Sequence, residues 1–142
     1  MMNPLMRMLF VDDNPGDRDL AREALEQSGG VQFYTACDGE EAMAFLRRCG
    51  AFENAPSPHV IMLDLNMPRK GGLDVLREIK ADDVLRIIPV IIFSSSTAAG
   101  DLHQAYHASA NAYVVKPSTL DGFMSAMQQI EHFWQKVATV IQ

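Results

Sequence analysis

The chain has 142 residues and a formal net charge of −6, which is one domain's worth of polypeptide, long enough to bury a core and without the basic face that nucleic acid requires. Its two cysteines, Cys37 and Cys49, make neither a disulfide framework nor a zinc ligand set, so they read as small apolar residues in a reducing compartment. No apolar run approaches the ~18 residues of a membrane span and no charged segment precedes one at the N-terminus; the expectation is a soluble, cytoplasmic protein that binds protein or a small phosphorylated group, not nucleic acid or membrane.

The first apolar run, "RMLFV", reads as a strand and leads straight into Asp12-Asp13-Asn14. Helical spacing follows over about 16 to 28 and stops at Gly29-Gly30. A second strand, "VQFYTA", gives way to Asp38, an N-cap with Glu41 three residues on, and to a helix over about 39 to 49. The polar, proline-bearing stretch "GAFENAPSPH", 50 to 59, is a longer loop than most connections. The third strand, "HVIMLDL", carries Asp64, followed by Met67-Pro68, and Gly71-Gly72 leads into a helix over 72 to 81. "PVIIFS" ends in Ser94-Ser95-Ser96 before a helix over about 97 to 108, and "AYVVK" ends in Lys116-Pro117 before a helix over about 118 to 137. Strands three and four are apolar almost throughout, as parallel strands covered on both faces are.

Five strand and helix units of this kind make an α/β fold, an open parallel sheet between two helical layers, and ligands in such sheets sit outside the carboxyl ends of the strands. Asp12, Asp13, Asp64, Ser94 and Lys116 are all delivered to that edge. Carboxylates brought together there repel one another unless a divalent cation and the Lys116 ammonium neutralise them. Oxygen donors of this type suit Mg²⁺.

The acidic pair Asp12 and Asp13, Asp64 with Met67-Pro68 and Gly72, the hydroxyl of Ser94 and Lys116-Pro117 together resemble the receiver domains of two-component response regulators. The likeness spans the chain to roughly residue 130. "VDDNPGD", the loop "FENAPSPH", "LDLNMPRKGG" and the tail "IEHFW" are most similar to stand-alone regulators associated with bacterial phytochrome kinases. The resemblance implies a flavodoxin-like (βα)5 fold with an extended C-terminal helix, and a single receiver domain over 1–142. It implies a phosphorelay role in which Asp64 accepts a phosphoryl group from a histidine kinase, a bacteriophytochrome being one such donor, without enzymatic turnover. By the same resemblance Asp13, Asp64 and the Asn66 carbonyl would hold Mg²⁺, with Asp12 acting through a bound water; Ser94 and Lys116 would engage the phosphoryl oxygens, and Tyr113 occupies the place of a switch aromatic.

The chain departs from the family pattern at Gly71, where many receivers have an acid, at Ser109, where a helix-ending glycine is common, and at Ser94, which stands for threonine and keeps the hydroxyl. A left-handed conformation at Ser109 would carry roughly 1 kcal/mol of strain. The alternatives are a receiver-like module that binds partners without phosphorylation, which the intact constellation disfavours, and an aspartate-nucleophile phosphohydrolase, which would place Asp-x-Asp after the first strand. A flavin binder would need a Ser/Thr/Gly-rich loop in the place where this chain is acidic. His103 and His107 have the spacing of a helical metal pair but no third ligand, and read as a solvated face. Phe133, Trp134, Val137, Val140 and Ile141 continue an apolar pattern past the length needed to cover the sheet; residues 132–142 are expected to form a dimer contact, the competing account being a tail folded back over strand five as extra core.

Overall fold

The structure is a computed structural model that describes residues 5–141. Residues 1–4 and 142, which the single-domain and tail assignments include, lie outside the described residues. Five strands, β1 (Met6–Val11), β2 (Val31–Ala36), β3 (Val60–Leu63), β4 (Val90–Ser94) and β5 (Ala112–Val115), alternate with α1 (Pro15–Glu26), α2 (Gly39–Arg47), α3 (Gly72–Ala81), α4 (Ala99–His107) and α5 (Leu120–His132). All pairings are parallel and the strand order is β2-β1-β3-β4-β5.

The period-two side-chain pattern of the strands divides the core into two layers. Leu9, Val11, Ile61, Leu63, Val90 and Ile92 face the residues of α2, α3 and α4, among them Ala42, Val75 and Ala105. Met8, Phe10, Val60, Met62, Ile91 and Phe93 face α1 and α5 through Ala24, Leu25, Phe123 and Met127. Because both faces of β1, β3 and β4 are covered, the sequence of these strands cannot alternate apolar with polar, and it does not. The fold is the doubly wound α/β sandwich expected.

The helix ends follow local chemistry. Asn14 caps α1 by accepting the Asp17 amide, with Pro15 at the first position, and Asp38 caps α2 by accepting the Glu41 amide. The α4 C-terminus closes with the Ser109 amide on the Tyr106 carbonyl and the Ala110 amide on that of Ala105, the paired bonds that require a left-handed residue between them. Ser109 supplies it at φ 75°.

The fifth helix differs most from expectation. It is α-helical only to His132 and then turns through a π-helical segment, Phe133–Val137, closed by the Ala138 amide on the Phe133 carbonyl. Gln135 donates to the Gly30 carbonyl at 3.0 Å, and Thr139, Val140 and Ile141 come beside Arg7, His59 and Pro89. These residues mark the amino ends of β1, β3 and β4, so the tail passes beneath the sheet. Half-buried Trp134 and Val140 pack on the α1/α5 layer. Phe133, Val137 and Ile141 remain 47%, 64% and 68% exposed.

Candidate functional site

The strand order reverses between β1 and β3, and the crevice outside their carboxyl ends is where a doubly wound sheet binds its ligand. Asp12 follows β1 and Asp64 follows β3, and the Asp64 amide donates to the Val11 carbonyl at 3.0 Å. Both carboxylates are buried, while Asp13 is exposed beside them. One ligand atom from each of Asp12, Asp13 and Asp64 lies within 4.8 Å of the others.

A glycine makes the approach to Asp64 possible. The chain after β3 doubles back so that the Gly72 amide donates to the Leu65 carbonyl at 3.0 Å, and a Cβ at Gly72 would stand 2.0 Å from the Asp64 carbonyl oxygen. No side chain fits there, and the backbone that carries Asp64 would have to move to admit one. Asn66, exposed at the surface, donates its amide to Asp64 Oδ1 at 3.3 Å.

Lys116, one residue beyond β5, reaches across the crevice. Its Nζ lies 2.7 Å from Asp12 Oδ2, 2.9 Å from Asp17 Oδ2 and 3.3 Å from Asp64 Oδ2. Burial pushes the Asp12 and Asp64 carboxyls above the ordinary carboxylate range, in spite of the opposing pull of Lys116 on both. Burial also disfavours the lysine ammonium, but the bonds to Asp12 and Asp17 and the charges of Asp12 and Asp64 outweigh it, so Lys116 is held above the ordinary lysine range. The site is therefore a charged cluster with more acid than base, and oxygen is its only donor type apart from the one ammonium. Those are the conditions a hard divalent cation fits.

Asp17 was not singled out by the sequence reading. Its signal was present in "VDDNPGD", because a residue three places after an N-cap asparagine stands in the first helical turn and points back toward the strand end. What could not be read was that Lys116 would meet it there.

Ser94 and Tyr113 form a second group, on the far side of the crevice. Ser94 is fully buried and its Oγ accepts the Ser96 amide at 3.2 Å. Half-buried Tyr113 donates its hydroxyl to the Ser96 carbonyl at 2.9 Å. The Ser96 hydroxyl donates to Asp101 Oδ2 in the first turn of α4 at 2.5 Å and accepts the Ala98 amide. Ala98, at the α4 N-cap, offers no side-chain bond, so Ser96 does the capping from outside the helix. The structure thus gathers Asp12, Asp13, Asp64 and Lys116 in one cluster with the Asn66 amide attached, and links Ser94 to Tyr113 through Ser96 without a bond from either to Asp64. Exposed His103 and His107 lie on α4 outside this cluster.

Known proteins share this fold. The sequence profile of the response regulator receiver domain matches residues 8–128. Response regulator Rcp1 of Synechocystis sp. is 37% identical over 139 residues, 97% of this chain and 95% of its own, and the crystal structure of its Mn²⁺-bound form superposes with a TM-score of 0.91. The phosphorylated cyanobacterial phytochrome response regulator RcpA is 39% identical, with a TM-score of 0.94 over 97% of this chain and 99% of its own. The bacteriophytochrome response regulator AtBRR is 38% identical, with a TM-score of 0.75 over 96% of this chain and all of its own. These are signalling receivers rather than members of an enzyme family, and taking a phosphoryl group on an aspartate is the general activity of such domains. With the profile covering most of the chain and this likeness at nearly full length, the protein belongs to the response regulator receiver family, among relatives associated with phytochromes.

Proposed function

We propose that Asp64 is the phosphoryl acceptor and that the donor is a phosphohistidine of a sensor kinase of phytochrome type. The observation that carries this reading is the position of the Lys116 ammonium within 3.3 Å of Asp64 and 2.7 Å of Asp12 at the strand-order reversal. A carboxylate oxygen of Asp64 attacks phosphorus, an oxygen–phosphorus bond forms, and the phosphorus–nitrogen bond to the donor imidazole breaks. The donor nitrogen keeps that electron pair. Little covalent work falls to the protein, and positioning and charge neutralisation supply the catalysis. Lys116 already holds the acceptor in place, and the N–H it directs at Asp64 can turn to a phosphoryl oxygen, the ammonium keeping its charge and its bonds to Asp12 and Asp17. Ser94 accepts one bond from Ser96, which leaves its own proton for a second phosphoryl oxygen.

Mg²⁺ is the cation that suits the cluster. Asp12, Asp13 and Asp64 would hold it, Asp12 through a bound water, together with the carbonyl of Asn66; when bound it neutralises charge on the transferring group. The domain acts as a switch in the cytoplasm, promoting its own phosphorylation and dephosphorylation without turnover of a substrate. A turn of Ser94 toward a phosphoryl group removes the acceptor of the Ser96 amide. Tyr113 and the start of α4 both hang on Ser96, so that loss is how the state of Asp64 reaches the α4–β5 surface.

The tail serves a symmetric dimer in this reading. Phe133 lines an apolar groove of about 490 Å³ with Ile91, Val114, Ile130 and Trp134, Val137 is exposed further along the tail, and a two-fold contact covers such apolar surface on both chains at once.

Intact-mass measurement after incubation with Mg²⁺ and a small acyl phosphate tests the acceptor. The wild-type chain should gain one phosphoryl group and Asp64→Ala none. Labelling of Asp64→Ala at the wild-type level sinks the assignment.

A further inference from the structure

Asp17 is a further carboxylate at the strand ends, and the phosphoryl chemistry gives it no task of its own. It stands three residues after the Asn14 cap, in the first turn of α1. An acid in that place ordinarily reaches back to the cap's backbone amide, the second bond of a capping box. Here the Asn14 amide donates instead to Asp12 Oδ1 at 2.9 Å, so the helix end makes no demand on the Asp17 side chain. Among the described residues the one hydrogen-bond partner of that carboxylate is the Lys116 ammonium, 2.9 Å from Oδ2. Nor is Asp17 one of the three acids, Asp12, Asp13 and Asp64, whose ligand oxygens lie within 4.8 Å of one another.

A lysine is a point charge on a flexible stem, with three N–H groups that turn to whatever oxygen is near. Its bonds therefore set where it points. Lys116 Nζ has two short bonds, to Asp12 at 2.7 Å and Asp17 at 2.9 Å, and a longer one to Asp64 at 3.3 Å. The short pair comes from two elements, the end of β1 and the first turn of α1. Those elements are fastened to each other, because Arg18 Nη1 of α1 donates to the Asp12 carbonyl at 2.8 Å. Two anchors fix the ammonium and leave its third N–H for the one oxygen that changes during the reaction. With Asp12 alone, the ammonium pivots about a single anchor and the freed N–H turns to water.

We propose that Asp17 is a positioning residue for the phosphoryl transfer, holding the Lys116 ammonium so that its remaining N–H meets the transferring group. The inference rests on Asp64 as the acceptor. Asp17 acts through the lysine alone and does not ligate the cation. The role needs an oxygen at a fixed place and not a negative charge, since Asp12 still pairs with the ammonium. That separates it from a helix-terminus role, in which an acid in the first turn stabilises α1 through its charge and no oxygen of a neutral side chain replaces it.

The test is the rate at which the full chain gains a phosphoryl group from acetyl phosphate and Mg²⁺, followed by intact mass, with Mg²⁺ affinity measured separately by calorimetry. Asp17→Ala should react about tenfold more slowly, the order of loss that a misplaced catalytic group brings. Asp17→Asn keeps an acceptor oxygen and should stay within about threefold of wild type. The two variants lose the same charge from α1, so their thermal midpoints should agree and stability cannot account for the difference in rate. In a Lys116→Ala background, Asp17→Ala should cost nothing further. An Asp17→Ala rate equal to wild type, an Asn variant as slow as the Ala variant, or an undiminished loss in the Lys116→Ala background would overturn the proposal. So would a tenfold loss of Mg²⁺ affinity in Asp17→Ala, which would make Asp17 a ligand of the cation. Asp64→Ala in the same run keeps the two inferences apart: labelling there overturns the acceptor, whereas the contrast between Asn and Ala at position 17 judges Asp17.

Discussion

Lys116 has three protons and three carboxylate partners, Asp12, Asp17 and Asp64. Two of those partners were legible because strand ends in a parallel sheet share one edge; Asp17 was not, because its place depends on how α1 leans over that edge. Ser109 is the opposite case. Its left-handed φ of 75° follows from its position after a helix and before a strand, and the sequence reading anticipated it. A residue with a Cβ pays for that conformation and glycine does not. Ser109→Gly should therefore raise stability by about 1 kcal/mol, seen as a higher denaturant midpoint at unchanged slope. A lower midpoint would mean that the Ser109 side chain makes a contact worth more than the strain.

At the level of elements, β1 and β3 begin with a side chain standing in for backbone. Pro58 precedes His59 and β3 starts only at Val60, so the Arg7 amide finds the His59 ring as its acceptor instead of a strand carbonyl. Burial, with the Arg7 charge adding to it, holds the His59 pKa below the ordinary histidine range. For a base with a lowered folded pKa, the unfolded chain binds the proton first on acidification, so the contribution to stability is complete above the unfolded value of about 6.5 and is lost as pH falls through the folded one. Protonation must occur at Nδ1, which would turn an acceptor into a donor facing the Arg7 amide. Stability measured by chemical denaturation should thus decline below about pH 6.5. In His59→Asn, whose side-chain carbonyl can still accept that amide, the decline should be smaller. An identical pH profile in the two proteins would show that His59 carries no linkage.

On the scale of the whole molecule, the tail divides its apolar residues between two jobs. Trp134 and Val140 add to the core, while Phe133, Val137 and Ile141 face outward. The tail is extra core in part, as one of the two expectations had it, although it runs beneath the sheet and not over β5; the residues left exposed are those the proposed dimer would cover. Truncation after Glu131 would remove core packing together with the exposed patch, so it cannot separate the two. Phe133→Glu with Val137→Glu removes the patch and keeps Trp134 and Val140 in place, losing only the edge contact of Phe133 with the Trp134 ring. Light scattering at micromolar concentration should find the wild-type chain dimeric and the double variant monomeric, with the thermal midpoint little changed. A monomeric wild-type chain would rule the dimer out.

The sequence by itself determined the five alternating units, the parallel sheet and the edge to which Asp12, Asp13, Asp64, Ser94 and Lys116 are delivered. Each of these rests on a local rule: side-chain period, capping chemistry, and the direction in which a parallel strand delivers its last residue. Tertiary structure alone decided what those rules do not reach. Gly72 is required by a backbone 2.0 Å from where its Cβ would stand. Ser96 is held at the start of α4 because the Tyr113 hydroxyl arrives from β5 to bond its carbonyl. The helix expected to run to 137 changes to a π-turn at Phe133, because Gln135 and Val140 find partners beneath the sheet that a straight α-helix could not reach. Contacts between elements far apart in the chain follow from how whole layers pack, and no window of sequence contains them.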